Sequence, residues 1–231
     1  MILATICCRG GSKGIPGKNV KELKGMPLIA YTIQSARGST LIDDLIVSTD
    51  DNQIADIAIE YGASVPFRRP AHLSGDTSSK WPVFIHAVEE YEKLTGKTVD
   101  YLVDLDVTVP LKTAADIDGA IQLALLNTDA DVVITGYEPE RNPYFNMMEV
   151  KENGYAEIVK KGRLPIVRRQ DAPIVFSLTP AAYVVKKSAL YEFEHWSKAR
   201  CKIYEIPRAR AIDIDTENDF KLVEFLMTYH H

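Results

Sequence analysis

MILATICCRGGSKGIPGKN, residues 1–19, decides how this chain is read. Its first eight residues form an apolar run of the length and type found in strands buried on both faces of a parallel sheet. The stretch Cys8 to Asn19 then spends four glycines, a proline, Arg9, Lys13 and Lys18 on one connection. A strand-to-helix connection ordinarily takes roughly two to six residues, so this one is built for more than turning the chain. Glycines let backbone amides approach an anion, Arg9 offers a planar donor fork, and the two lysines supply mobile charges. Neither familiar phosphate loop fits. Ser12 stands where a G-x-G-x-x-G fingerprint counted from Gly10 needs its second glycine, and Gly17-Lys18 is followed by Asn19 rather than Ser or Thr. A helix terminus alone contributes only about 0.3–1 kcal/mol towards holding an anion, so a polyphosphate here needs the lysines, the arginine and a metal ion.

Working outward, the pattern repeats. PLIAYTIQSAR reads as a helix after a turn at residues 24–27, DDLIVST as a strand, DDNQIADIAIEYG as a helix, and ASVPF as a short strand. A helix over 78–96, a strand over 99–107, a helix over 113–127 and a strand over 130–137 follow. Strands alternating with helices predict a doubly wound α/β layer with a mixed, mainly parallel sheet. From 138 to 176 the alternation stops: two short strands around Glu152-Asn153-Gly154 and an irregular, proline-containing stretch predict a small β-rich insertion, a lid or a dimerisation arm. AAYVVKKSALYEFEHW returns to strand and then helix, KIYEIP gives another strand, and a C-terminal helix ends the chain. One domain over 1–231 with this inserted sub-lobe is the expected organisation.

The composition of the 231 residues narrows the function classes. A net charge of −5 argues against a nucleic-acid protein, yet residues 9–24 carry five basic side chains against Glu22, a net +4, which leaves −9 for the remainder. No run reaches the roughly 18 apolar residues of a membrane span, and no signal-peptide pattern opens the chain, so a cytoplasmic protein without membrane or nucleic-acid partners is expected. Cys7, Cys8 and Cys201 show no zinc spacing and read as buried, reduced thiols.

A second chemical feature is Ile212-Asp213-Ile214-Asp215. In extended backbone, residues i and i+2 face the same way, so both carboxylates reach one cation, and magnesium favours one or two carboxylates completed by phosphate oxygens and waters. The competing reading is that the segment merely opens the last helix, with Thr216 and Asp219 as its cap.

CRGGSKGIPGKNVKELKGMPLIAYTIQSA resembles the opening of the acylneuraminate cytidylyltransferases, the CMP-sialic acid synthetase family. IVSTDD, RRPAHLSGDTSS, VPLKTAADID, RRQDAP and IDIDTENDF follow in that family's order. The resemblance implies a nucleotide-diphospho-sugar transferase-like fold, a homodimer, and the use of CTP and Mg2+. It places Arg9, Gly10, Gly11, Ser12, Lys13, Lys18 and Asn19 on the nucleotide-binding loop, with Lys18 as the direct phosphate contact. Arg69 falls near the cytosine. Lys80 stands where the family commonly has Ser, adding a cation near nucleotide or substrate. On the sugar side, Asp106 takes the place of a family glutamine, and Arg169 matches an arginine suited to a sugar-acid carboxylate. Asp213 and Asp215 match the metal-binding pair.

The implied reaction is transfer of CMP from CTP to the anomeric hydroxyl of a nonulosonic acid. Lys18, Arg9 and magnesium would offset charge on the phosphates, with Asp215, or a water that it holds, as the base. An acid at 106 cannot donate the hydrogen bonds of a glutamine, which favours a donor-rich substituent on the acceptor. Thr179-Pro180-Ala181 also departs from the usual Asn-Gly-Ala. Together with Lys80 and RNPYFN, these departures resemble the branch handling legionaminic acid. The alternatives are the same reaction on N-acetylneuraminic or pseudaminic acid, with Kdo less favoured, and a nucleotide-binding regulatory protein without turnover. An oxidoreductase is disfavoured by the failed dinucleotide fingerprint.

Overall fold

The computed structural model describes residues 1–11, 14–75, 78–162 and 166–229. In chain order the elements are β1 (Ile2–Cys7), β2 (Glu22–Leu23), β3 (Met26–Pro27), α1 (Leu28–Arg37), β4 (Asp44–Ser48), α2 (Asn52–Glu60), α3 (Lys80–Thr95) and β5 (Tyr101–Asp104). They continue with α4 (Ala114–Leu126), β6 (Val132–Tyr137), β7 (Met148–Val150), β8 (Ala156–Ile158), β9 (Ser177–Lys186), α5 (Lys187–Glu192), β10 (Cys201–Glu205) and α6 (Glu217–Tyr229).

Six strands form one sheet in the order β10-β6-β9-β5-β1-β4. β1 pairs parallel with both β4 and β5, and β6 pairs parallel with β10. β9 runs antiparallel between β5 and β6, so the sheet is mixed and mainly parallel, as the alternation predicts. The crossovers are helical because parallel neighbours cannot be joined by a tight turn.

Strand periodicity sorts the side chains of the sheet into two cores. Ala4, Ile6, Val47, Val103, Leu105, Val133 and Val184 face a layer holding Leu28, Ile33, Ile54, Ile117 and Phe220. Leu3, Ile46, Leu102, Val132, Ile134 and Val185 face the opposite layer, built on Trp81, Phe84, Val88, Tyr91 and Leu190. The helices start where the sequence supplies caps. The Asp51 side chain accepts from the amide of Ile54 at the head of α2, and Thr113 with Asp116 forms a reciprocal capping box on α4. Gly96, at φ 70°, closes α3 in a left-handed conformation that glycine adopts without penalty.

Four local expectations need correction. ASVPF forms no strand; it contributes only a bridge from Ser64 to Ile46 beside the edge strand β4. β9 begins at Ser177, earlier than the apolar run suggests, with Pro180 at the register break opposite Ile134 and Gly136, where no ladder donor is needed. The helix after it stops at Glu192 instead of continuing to Trp196. The carbonyl of Leu190 in its last turn accepts from Trp81 Nε1 (3.1 Å) rather than extending the helix. Cys201 is also exposed, because it opens the edge strand β10, whereas Cys8 is buried and Cys7 is partly buried. The residue 24–27 turn is a tight hairpin between β2 and β3, with Lys24 and Gly25 both at positive φ. The expected hairpin inside the insertion is β7–β8, turning at Gly154.

Candidate active site

The carboxyl ends of β1 and β5 and the segment before α6 converge on one place. Leu105 N donates to Thr5 O (2.9 Å), Asp106 N to Pro180 O (3.2 Å), and Ile214 N to Thr108 O (2.8 Å). These backbone bonds tie the loop after β5 to β1, β9 and the 212–216 segment. In an open parallel sheet this is the ligand-binding edge.

The basic loop reaches the same point from the other side. Ile15 is fully buried and anchors it, and Gly17 at φ 63° turns it into a short 3-10 helix at Lys18–Val20. That turn sends the buried Lys18 side chain to the carbonyl of Ile214 (2.5 Å) and to within 3.5 Å of Asp215 Oδ1. Lys21 pairs with Glu217 (2.6 Å) and lies over the Phe220 ring. Gly14 packs against the Asp215 backbone: a Cβ there would sit 2.5 Å from the Asp215 carbonyl oxygen. Asn19 braces the loop by donating to Arg9 O (3.0 Å), and the Gly10 amide donates to Asp50 Oδ1 (3.1 Å). Arg9 donates to the Ser74 carbonyl (3.5 Å), and Gly11 is exposed with open space around it. Ser12 and Lys13 lie outside the described residues.

Asp213 is the least satisfied polar group of this centre. Its Oδ1 is buried with no hydrogen-bond partner. Burial pushes its carboxyl above the usual range, Thr108 opposes this, and the Asp106 and Asp215 charges add to the rise. A buried carboxylate oxygen without a donor fits a cation. Asp215 beside it is exposed. Among the described residues no three His, Cys, Asp or Glu side chains form a closed metal cage. The pair therefore suits an ion whose remaining positions come from ligand oxygens and water.

The capping expected of Thr216 and Asp219 is also present. Thr216 and Asp219 exchange the cap bonds, Thr216 N to Asp219 Oδ2 at 2.8 Å and Asp219 N to Thr216 Oγ1 at 3.3 Å, and the Asp213 side chain takes no part in them.

On the β5 side, Lys80 at the start of α3 bridges two carboxylates, Asp104 Oδ2 (3.0 Å) and Asp106 Oδ2 (2.8 Å), with its ammonium 5.4 Å from the centre of the Tyr183 ring. Burial disfavours the Lys80 charge, but the two aspartates outweigh it and raise the ammonium well above its ordinary value. Burial likewise opposes the charge on Asp106, yet the Lys80 ammonium and the Thr108 amide bring its carboxyl down to about 2. Lys80 thus belongs with Asp106 rather than with the glycine loop. It also forms part of the wall of a cavity of about 300 Å³ with Trp81, Phe84, Tyr183, His195 and Trp196.

Arg69 is buried and fastened to the end of β4, where its Nε donates to Ser48 Oγ (3.1 Å) and its Nη2 to the Ser48 carbonyl. Arg169 is not drawn into the carboxylate cluster. It is exposed, donates to Pro139 O (2.9 Å), and lines a cleft of about 320 Å³ within the 138–176 insertion.

Sequence reasoning missed two groups. Asp104 is fully buried and shares Lys80 with Asp106; the same i, i+2 rule that singled out Asp213 and Asp215 applies to Asp104-Leu105-Asp106. Lys112 is buried, and its ammonium donates to Thr32 Oγ1 (2.8 Å), Asp106 O (2.6 Å) and Val109 O (2.9 Å), closing the 106–112 loop on itself. Burial pushes it down to about 7 against the pull of Asp106 and Asp104. No pattern in the sequence announces a buried lysine. The thiols of Cys7 and Cys8 are raised by burial, Cys8 to about 12, which leaves them unreactive beside the site.

The arrangement can hold an anion on the Arg9–Lys18 side and a cation at Asp213 and Asp215. It presents an ionised carboxylate, Asp106, across the mouth of the sheet.

Comparison with known proteins identifies the family and the fold. The cytidylyltransferase family model matches residues 3–226. The chain is 37% identical over 226 residues to post-translational flagellin modification protein B of Campylobacter coli, covering 98% of this chain and 94% of that protein. It is also 37% identical over 227 residues to the CMP-N,N'-diacetyllegionaminic acid synthase of Campylobacter jejuni, covering 98% and 95%. A solved CMP:2-keto-3-deoxy-manno-octonic acid synthetase complexed with CTP superposes with a TM-score of 0.73. It covers 100% of this chain and 99% of that one at 15% identity, a likeness of fold.

Proposed function

Because the chain belongs to the cytidylyltransferase family, we propose that it transfers CMP from CTP to the anomeric hydroxyl of a nonulosonic acid, releasing pyrophosphate, with legionaminic acid as the favoured acceptor. One observation carries this reading. The Lys18 ammonium of the glycine loop meets Ile214 and Asp215 of the acidic segment, so the basic loop and the acidic segment form one centre.

In this reading Lys18, Arg9 and the amides of Gly10 and Gly11 hold the triphosphate and offset the charge that grows on the departing pyrophosphate. Asn19 keeps the loop in shape through its bond to Arg9 O. Ser12 and Lys13 belong to the same loop by position in the sequence. Arg69 fixes the nucleoside side, while Lys80 and Asp106 face the acceptor. Asp215, exposed and 3.5 Å from Lys18, or a water that it holds, takes the proton of the attacking anomeric hydroxyl. Asp213 and Asp215 would hold a divalent ion, Mg2+, which when bound neutralises phosphate charge. Arg169, on the wall of the insertion's cleft, serves the sugar-acid carboxylate.

The 138–176 insertion exposes Met147, Met148, Val150, Tyr155, Val167 and Ile174, an apolar surface that suits the arm of a homodimer. A cytoplasmic location fits a CTP-consuming enzyme, and among the described residues no helix is long and apolar enough to cross a membrane.

The test is CTP-dependent pyrophosphate release with legionaminate, N-acetylneuraminate, pseudaminate and Kdo as acceptors. Highest kcat/KM on legionaminate is expected. A preference for Kdo, or nucleotide binding without release on any acceptor, overturns the reading. Asp215→Asn with near-normal turnover at saturating Mg2+ removes the assignment of the base.

A further inference from the structure

Between the end of β10 and the start of α6, residues 206–216 form no strand, yet this stretch carries Asp213 and Asp215. No sheet ladder aims those carboxylates, so their aim depends on how the stretch is tied down. Asp213 contributes little itself, since its Oδ1 has no hydrogen-bond partner. Three residues before it, Arg210 reaches across to the head of α4. Its Nε donates to Asp116 Oδ2 (2.8 Å) and its Nη2 to Asp116 Oδ1 (2.7 Å), a planar fork on a carboxylate that is only 5% exposed. Burial opposes the Asp116 charge, but the Arg210 fork and the Thr113 cap donors bring its carboxyl below the usual value. Charge-assisted bonds of this kind are roughly twice as strong as neutral ones, and two of them together fix direction as well as distance.

What Arg210 grips is itself part of the site's frame. Asp116 Oδ2 also accepts from the Thr113 amide (2.9 Å) and hydroxyl (2.8 Å), which locks it to the end of the loop that follows β5. The same loop supplies Thr108 O, which takes the Ile214 amide (2.8 Å). The fork before Asp213 and the amide after it therefore bracket that carboxylate on one support. Thr179 Oγ1 of β9 adds a neutral bond to the Ala211 carbonyl (3.1 Å). Arg208, on the same short 3-10 helix, has no comparable grip: it meets Glu140 at 3.4 Å, with the two side chains 62% and 60% exposed.

We propose that Arg210 is a positioning residue for the cation site: clamped on Asp116, it holds the backbone that aims Asp213 at the divalent ion. Electrostatics alone predicts the opposite sign, because taking a positive charge away from the neighbourhood of a cation site should tighten cation binding. Positioning predicts that binding weakens. The inference rests on the CTP- and Mg2+-dependent reading above and adds to it the pair that holds the metal segment in place.

The experiment follows Mg2+ in two ways. Without acceptor, Mg2+ is titrated into the protein at saturating CTP and the midpoint of the rise in Tm is read. With legionaminate, the half-saturating Mg2+ concentration and kcat come from pyrophosphate release. Arg210→Met should raise both midpoints by about 10–100-fold, the range for groups that orient metal ligands, with kcat recovering to within about threefold at saturating Mg2+. Arg210→Lys keeps the charge without the fork and should give a smaller rise. Arg208→Met removes the same charge from the same helix and should leave both midpoints within twofold. Arg210→Met strands the buried Asp116 charge, so its Tm also falls. The double variant Arg210→Met/Asp116→Asn removes that stranded charge; its Tm should recover while its Mg2+ midpoints stay raised.

Midpoints within twofold of the unaltered protein, tighter Mg2+ binding, an equal shift in Arg208→Met, or midpoints that return together with Tm in the double variant would overturn the proposal. If Arg210→Met does not fold, the double variant and Arg210→Lys decide: unchanged midpoints in both refute it. Failure of the parent reading looks different and takes the proposal with it, since the unaltered protein would then show no Mg2+-dependent rise in Tm with CTP and release no pyrophosphate.

Discussion

Gly14→Ala is the most direct test of how the basic loop and the acidic segment are held together. The substitution adds one methyl group between two backbone segments, so space is at issue. The new Cβ would lie 2.5 Å from the carbonyl oxygen of Asp215, where ordinary contact begins at 3.4 Å. Backbone stands on both sides, so no side chain can swing away, and the two segments must separate by roughly an ångström. Overpacking of this kind costs about 1–3 kcal/mol. For a chain of this size each kcal/mol lowers Tm by roughly 2–4 °C. The larger consequence is on turnover. The separation pulls Lys18 from the Ile214 carbonyl and from Asp215, and a misplacement of about 1 Å at reacting groups costs on the order of 100-fold.

The assay pairs a thermal melt of the ligand-free protein with kcat/KM for CTP by pyrophosphate release. Gly11→Ala is the comparison: a Cβ there meets nothing within 4 Å, so Tm should not move, while CTP use falls only if phosphate packs against that backbone. Turnover of Gly14→Ala within twofold of the unaltered enzyme, or equal Tm losses for the two variants, would refute the reasoning.

Three further outcomes are expected. Asp213→Asn replaces a buried carboxylate whose Oδ1 has no partner, so the metal-free protein should melt no lower, while the rise in Tm produced by Mg2+ with CTP should vanish; a retained Mg2+ effect excludes Asp213 as a ligand. Lys112 has a folded value depressed to about 7, so the unfolded chain binds more protons than the native one above that pH, and this group makes stability rise between about pH 7 and 10. Lys112→Met should flatten that part of the denaturation profile, and should cost about 1–3 kcal/mol at pH 8 by removing the buried donor that Thr32 Oγ1 and the Asp106 and Val109 carbonyls share; an unchanged slope removes the assignment. Arg69→Lys should raise the KM for CTP about tenfold or more, since an ammonium cannot span Ser48 Oγ and the Ser48 carbonyl as the guanidinium fork does; full rescue by lysine shows that charge alone suffices.

The alternation of apolar strands with helical segments was legible because both periodicities are local, and it led to a sheet that is parallel save for β9. The antiparallel course of β9 was not legible. Whether a strand enters a sheet from one end or the other depends on where the 138–176 insertion leaves the chain, and no residue in AAYVV encodes that. Arg169 shows the same limit at the site: its motif reads as substrate-facing, yet the fold attaches its guanidinium to Pro139 within the insertion.

By itself, the sequence determined the chemistry available: a glycine-rich basic loop, an Asp-x-Asp segment and the order of the motifs, each a property of a few neighbouring residues. The tertiary structure alone decided which charges meet. Lys18 finds Ile214 from 196 residues away and Asp215 next to it, Lys80 takes Asp104 and Asp106 together, and Lys112 disappears beneath the loop it closes. Pairing and burial of charge are set by distances across the sheet's carboxyl edge, which arise only once β1, β5 and the segment before α6 are brought side by side.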